Sequence, residues 1–426
     1  MRRSLALLMV GVGLASFPLV AWSDGEWPWF RGTDRSAVSK ETGLLQEWPK
    51  EGPPRLFEAK GAGRGYASLA ISGGRIYTLG DGVSTAEDDD EYLTSFDQST
   101  GKQLWKAKTG PAWNEGNADW QGSRSTPSVD GDRVYVVTPH GVLVCCETAG
   151  GKELWKKDLT QEFKGKKGDG WGYSESVLID GDNVICTPGR ETNTMVALKK
   201  DSGELVWSSS RAGDRGAGHS SIVITQIGDT KVYVQTTASG ALGVRASDGK
   251  LLWSHAITEN VTAVIPTPIV RGDLVFYVAG YNYGGILLRQ VPGNDGEVTV
   301  DVVYPRNQKL ANKHGGVVLV GDYLYGDSDD RGIPYCADLM TGEVKWKARS
   351  SGKNSAAIAA ADGRLYIMFA DGTLALAKAD PAEYQETGSF KVGDAERPHW
   401  SHPVIVDGKL YIRDQDRILC YDVKAK

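Results

Sequence analysis

Gly151-Lys152-Glu153-Leu154-Trp155 sets the reading of this chain. The same frame appears as Gly101-Lys102-Gln103-Leu104-Trp105, Gly203-Glu204-Leu205-Val206-Trp207, Gly249-Lys250-Leu251-Leu252-Trp253 and Gly342-Glu343-Val344-Lys345-Trp346. In each, glycine at a turn opens a short strand that ends in tryptophan. Upstream of each lies a second signature, a turn such as Gly131-Asp132 or Asp407-Gly408 followed by an alternating apolar strand. Its central residue is Tyr77, Tyr135, Ile185, Tyr233, Phe276, Tyr325, Tyr366 and Tyr411 in turn, 41 to 58 residues apart. Period-two alternation rich in β-branched and aromatic residues, cut by glycine and aspartate turns, is the pattern of short antiparallel strands.

Eight such units of about 40–50 residues, four strands each, predict an all-β, eight-bladed β-propeller of four-stranded antiparallel blades. The last unit lacks a Trp strand of its own. Leu56-Phe57-Glu58-Ala59-Lys60 near the start copies Leu104-Trp105-Lys106-Ala107-Lys108, so an N-terminal strand (53–61) is expected to complete the last blade and close the ring, leaving no sheet edge open. The repeated Trp is expected to sit between neighbouring blades, each burial contributing roughly 2–3 kcal/mol. Unit five places Val300 and unit seven Phe390 at the Trp position, which marks those blades as the weaker ones. The domain reading is therefore 1–23 leader, 24–52 a segment wrapping the rim, and 53–426 one propeller.

Residues 1–23 read as a Sec-type secretory signal: Arg2 and Arg3, an apolar run from Leu5 to Val20, then Ala21-Trp22-Ser23. No lipobox cysteine follows, since the first cysteine is Cys145. The mature chain is expected to be periplasmic or extracellular, with no membrane span after cleavage. Net charge is -6, without the clustered basic surface that nucleic acid requires.

The Gly-Lys/Glu-x-x-Trp segments and the Ser/Thr-Gly or Asp-Gly turns before them resemble the repeats of the PQQ-like, quinoprotein-type propeller family. The likeness covers roughly residues 53–426. Trp27-Pro28-Trp29-Phe30-Arg31-Gly32, Trp171-Gly172-Tyr173-Ser174-Glu175-Ser176 and Trp400-Ser401-His402-Pro403 resemble a secreted bacterial, planctomycete-like subgroup. The resemblance implies an eight-bladed ring. It leaves activity open, because the family includes quinone-dependent dehydrogenases and outer-membrane assembly scaffolds alike.

One face of the ring is expected to carry the chemistry. The connections leading into each inner strand, and those between the second and third strands, hold Arg190, Arg331 and five of the six histidines (140, 219, 314, 399, 402). The opposite face reads as structural turns. Aligning the inner strands on the markers gives a row ten residues back (Ala67, Ser125, Glu175, Pro266, Gly315, Ala356, Ser401) and a row nine back (Ser68, Thr126, Ser176, Thr267, Gly316, Ala357, His402). Unit four does not align. Glu175 and His402 break rows of small residues at a crowded mouth, where an unpaired charge is costly. Hydrogen bonding to neighbouring loops explains them as readily as a ligand does. The candidate ligand-binding set is Glu175, His402, Trp171, Tyr173, Arg124, His219, His314, Trp400 and Arg331. No residue is assigned a catalytic role.

Five cysteines is an odd number for a secreted chain. Cys145, Cys336 and Cys420 align with Ser95 and Ala197 in a slot for small side chains, so buried thiols explain them better than a functional disulfide at Cys145-Cys146. The resemblance implies PQQ with calcium for a dehydrogenase, and calcium takes six to eight oxygens. Asp327-Ser328-Asp329-Asp330 and the acidic insert 87–91 have no ligand spacing and read as solvated turns, and no protein metal site is expected. Two functions follow. The first is a non-catalytic scaffold binding a protein or small-molecule ligand through the His/Trp-rich face. The alternative is a compact PQQ-dependent dehydrogenase acting on an alcohol or sugar.

Overall fold

The computed structural model describes residues 25–82, 89–257, 261–329, 331–393 and 397–426. The leader and part of the acidic insert (Glu87, Asp88) lie outside them, as does Asp330. Eight four-stranded antiparallel sheets form the ring. The first runs Ala70–Ser72, Arg75–Asp81, Asp90–Asp97 and Gln103–Pro111 from axis to rim. The eighth runs Val404–Val406, Lys409–Asp414 and Arg417–Asp422, and its outer strand is Arg55–Lys60. Phe57 pairs with Cys420, and Ala59 with Ile418. The beginning and end of the propeller are thus one sheet. Arg413, fully buried in the eighth blade, reinforces the join by donating to the Leu79 carbonyl (2.6 Å) and Thr78 Oγ1 (2.9 Å) of the first.

The Gly-to-Trp frame has a direct physical cause. Gly151 has φ +74°, and a Cβ there would lie 2.6 Å from the Trp105 ring of the preceding blade. The turn of one blade is therefore the seat of the last strand's Trp from the blade before, and only glycine fits. The Trp105 indole N–H donates to the Thr148 carbonyl beside that turn (3.0 Å). Trp155 and Trp207 repeat the arrangement at Lys200 and Ala246. In three sheets the marker, a small residue and the Trp stand in register: Tyr77–Ser95–Trp105, Tyr135–Cys145–Trp155 and Tyr325–Cys336–Trp346. All five cysteines are buried free thiols. Cys145 and Cys146 follow one another along a strand and so pack into different core clusters.

Three expectations need correction. In unit five, Phe276 pairs with Leu287 and Leu287 with Tyr304. Tyr304, not Val300, holds the Trp position, and Gly342 of the next blade sits against its ring. The hairpin Gly284–Pro292/Val298–Asn307 is longer than its counterparts, which shifts the frame. In unit seven the register puts Gly388, not Phe390, at the Trp position (Tyr366–Leu376–Gly388), and Trp48 fills it from outside the repeat, edge-on to Phe390 (5.5 Å) and Tyr366 (5.8 Å).

The third concerns residues 24–52, which were expected on the rim. The described part starts at the axis, from Gly25 to Ser39, and reaches the rim only later, where Trp48 N–H donates to the Thr387 carbonyl (3.1 Å) of an outer strand. Trp27 exchanges backbone hydrogen bonds with Ile71 (2.8 Å each), and the Trp29 indole donates to the Val129 carbonyl (2.9 Å). Arg31 donates to the Val317 carbonyl (2.7 Å), and Arg35 to the carbonyls of Ser176 (2.8 Å) and Val177. Ser39 N–H reaches the Ala360 carbonyl (2.7 Å). The physical reason is that the inner strands converge on the axis with one edge unpaired. A buried edge needs partners, and two arginines with several donors each supply them.

Candidate functional site

Plugged from one side, the central channel is a cup on the other. Its cavity is about 280 Å³. The connections into seven of the eight inner strands line it. The nominated residues Arg124, Trp171, His219, His314, Trp400 and His402 converge here. Glu175, Tyr173 and Arg331 do not. Residues the sequence reading did not nominate are Phe30 and Arg31 on the floor, and Tyr66, Trp120, Ser174 and Lys313 in the wall.

The two aligned rows explain the split. Successive strand residues point to opposite sides. The nine-back residues Thr126, Ser176, Thr267, Gly316 and His402 all line the cup. Between blades, their backbone N–H groups donate to the next hydroxyl: Ser68 to Thr126 (2.9 Å), Thr126 to Ser176 (3.0 Å), Ser176 to Ser221 (3.0 Å) and Ser221 to Thr267 (3.1 Å). Ser221 is thereby the missing member from unit four. Glu175 belongs to the other row and turns into the blade. It accepts from Thr187 N–H (2.7 Å), Thr187 Oγ1 (2.9 Å) and Gln235 Nε2 (3.0 Å). Burial pushes its carboxyl up to about 7 against these bonds and the Arg35 and Lys167 charges. Tyr173 is buried beside it and donates to the Pro188 carbonyl (2.8 Å).

The walls are aromatic. His314 stacks on Trp400 (4.2 Å between centroids, 19° between planes), and Tyr66 packs on the same indole (4.6 Å). Trp120 meets Trp171 edge to face at 5.9 Å. Phe30 stands edge-on to His402 at 4.8 Å. The polar groups among them are cations and donors. Burial lowers the Arg124 guanidinium to about 10, which leaves it charged at neutral pH. The same cause lowers His402 to about 3, His219 to about 4, and His314 well below the usual range. The three imidazoles are therefore neutral. No aspartate or glutamate is among the lining residues described.

His219 bridges two side chains. Ser174 Oγ meets its Nδ1, and its Nε2 donates to Asp169 Oδ2 at 2.9 Å. Burial would raise Asp169, but His219 and Lys167 hold it well below the usual carboxylate range. With His219 at about 4, the contact at neutral pH is a hydrogen bond from a neutral ring, not an ion pair. The connectivity is that of an acyl-transfer triad with the ring nitrogens interchanged, and Asp169 is shared with Lys167 at 4.0 Å.

A quinone held by calcium needs both a flat anion site and oxygen ligands for the metal. The cup has aromatic walls and cations suited to a planar anion, but no carboxylate to hold a divalent cation. Among the described residues no group of three or more His, Cys, Asp or Glu is placed to hold a metal. Two acidic positions read as solvated turns are buried instead. Glu91 accepts from Ser123 Oγ (2.6 Å) and Thr109 Oγ1 (2.9 Å), and burial raises it to about 8. Asp327 accepts from Asn312 Nδ2 at 2.9 Å.

Fold and cup together define a PQQ-like β-propeller. The family model described as outer membrane protein assembly factor BamB matches residues 89–348, more than half the chain, and the chain belongs to that family. Among solved structures it is similar to BamB from Moraxella catarrhalis: 15% identity, TM-score 0.59, over 87% of this chain and 98% of that one. It is also similar to the quinohemoprotein alcohol dehydrogenase of Comamonas testosteroni: 12% identity, TM-score 0.62, over 94% and 81%. A europium-containing methanol dehydrogenase aligns at 11% identity and TM-score 0.64, over 91% and 89%. No curated protein matches the sequence. At such identities the likeness to solved structures establishes the ring alone.

Proposed function

We propose that the protein is a periplasmic or extracellular binding scaffold without catalytic activity, and that the cup takes a small, ring-bearing ligand. One observation carries this reading: a blind, aromatic-walled cavity furnished with cations and neutral donors, with no carboxylate in its lining. Concave apolar sites with a few convergent polar groups are what small ligands use. The leader read at 1–23 supports export. Among the described residues no helix is long and apolar enough to cross a membrane.

The test is native mass spectrometry of protein purified without denaturation. A bound mass is expected in the wild type, and it should be lost in Trp171→Ala and Trp400→Ala. Two results would count against the reading. Dye reduction with added quinone, calcium and an alcohol or sugar would establish the compact dehydrogenase. A fluorophosphonate adduct on Ser174 would make the His219 bridge a working triad. We expect neither, since the cup has no carboxylate to hold calcium and His219, at about 4, is a weak base.

A further inference from the structure

Arg31 reaches the floor of the cup from the N-terminal segment. Three of its five N–H donors are committed to protein carbonyls. Nε donates to the Arg35 carbonyl (3.1 Å), and Nη2 to those of Ser36 (2.9 Å) and Val317 (2.7 Å). Nη1 is buried with no partner. The residue is 3% exposed and lines the cavity. Beside it, His402 is 9% exposed, and its Nδ1 is likewise buried and unpartnered. The His314 backbone lies close enough to the His402 ring to oppose the effect of burial on it. In a neutral imidazole one ring nitrogen is an acceptor, and Nδ1, which has no protein donor, is open to a hydroxyl when the proton sits on Nε2. Gly316 opens the space between them. A Cβ built on it would lie 2.7 Å from Arg31 Nη1 and 3.9 Å from His402 Cε1, so one small molecule can meet both. The site is thus a cationic donor and a neutral acceptor side by side, under walls of Trp120, Trp171 and Trp400.

We propose that this floor is a site for a sugar acid, with its carboxylate on Arg31 and a neighbouring hydroxyl donating to His402 Nδ1, while the ring faces the tryptophans. The proposal rests on reading the cup as a ligand site. A simple anion satisfies Arg31 alone, and a neutral sugar satisfies only the walls and His402. A hydroxy acid on a ring satisfies all three. A buried guanidinium–carboxylate contact is charge-assisted, so the carboxylate should dominate affinity.

The probes are D-glucuronate, D-glucuronamide and D-glucose, titrated against the full-length mature protein by calorimetry and tryptophan fluorescence. Glucuronate is expected to bind saturably, with the amide and glucose at least about tenfold weaker. His402→Phe, which keeps a ring against Phe30, should weaken glucuronate about tenfold and leave the melting temperature near wild type. Arg31→Met should lose discrimination between glucuronate and the amide. If all three probes bind equally, the acid site is wrong and the cup remains a ligand site. If none binds while native protein still carries a bound mass, the ligand class is wrong. If no mass is retained either, the reading of the cup falls with it.

Discussion

Glu175 and His402 are the two residues that broke the small-residue rows, and they ended in opposite roles. The sequence marks both as misfits for size. It does not say which side of the strand each faces, because that depends on where the pairing register starts. One position apart in the alignment is one face apart in the sheet. Glu175 therefore secures Thr187 and Gln235 inside the blade, while His402 meets the cavity. Glu175→Ala should leave those donors unpaired. Each buried unpaired donor costs about 1–3 kcal/mol, so chemical denaturation should find the variant less stable by at least that amount. Ligand retention should be unchanged wherever the variant is folded. A fully stable Glu175→Ala that has lost its ligand would place the carboxylate in the site after all.

At the level of elements, legibility followed repetition. The Gly-to-Trp frame occurs five times, and a recurring frame reveals a slot even where its occupant changes, as with Phe57 in the closing strand. Unit five defeated the frame because a longer hairpin moves the aromatic to Tyr304 without altering the glycine count. The segment from Gly25 to Trp48 has no repeat to align. Its role as a plug depends on carbonyl edges that exist only once eight blades have met. Its tryptophan completes a blade that looked deficient, since Trp48 covers Tyr366 and Phe390. Trp48→Ala should cost about 3–5 kcal/mol, as for other buried large aromatics. If the segment folds onto the ring as one unit, limited proteolysis of the variant should cut within residues 25–52 well before the blades. Equal protection of wild type and variant would contradict that.

The whole molecule buries titratable groups of both kinds, and their balance fixes its response to pH. His219 and His402 lie at about 4 and 3 in the fold, and His314 is also depressed, against an ordinary 6.5. Below 6.5 the unfolded chain takes up protons that the folded chain refuses. Stability from these rings is therefore lost as pH falls from 6.5 towards 3. Glu91 and Glu175 lie at about 8 and 7 against an ordinary 4.5. Above 4.5 the unfolded chain releases protons that the folded chain keeps, so their contribution drains away as pH rises through 7 and 8. Between 4.5 and 6.5 these three imidazoles, joined by the depressed His255 and His399, act against the two glutamates and the raised Asp81, and stability climbs. Beyond 6.5 the carboxyls dominate and it falls, until Lys167, which burial lowers to about 8, begins to oppose them near pH 8. Calorimetric melting from pH 5 to 8 should peak between about 6 and 7. Glu91→Gln should flatten the alkaline side, and His402→Phe the acid side, each without moving the opposite slope. A melting temperature that keeps rising from pH 7 to 8 would mean that Glu91 and Glu175 are ionised in the fold, and the buried bonds drawn from Ser123, Thr109 and Gln235 would then be holding charges, not neutral acids.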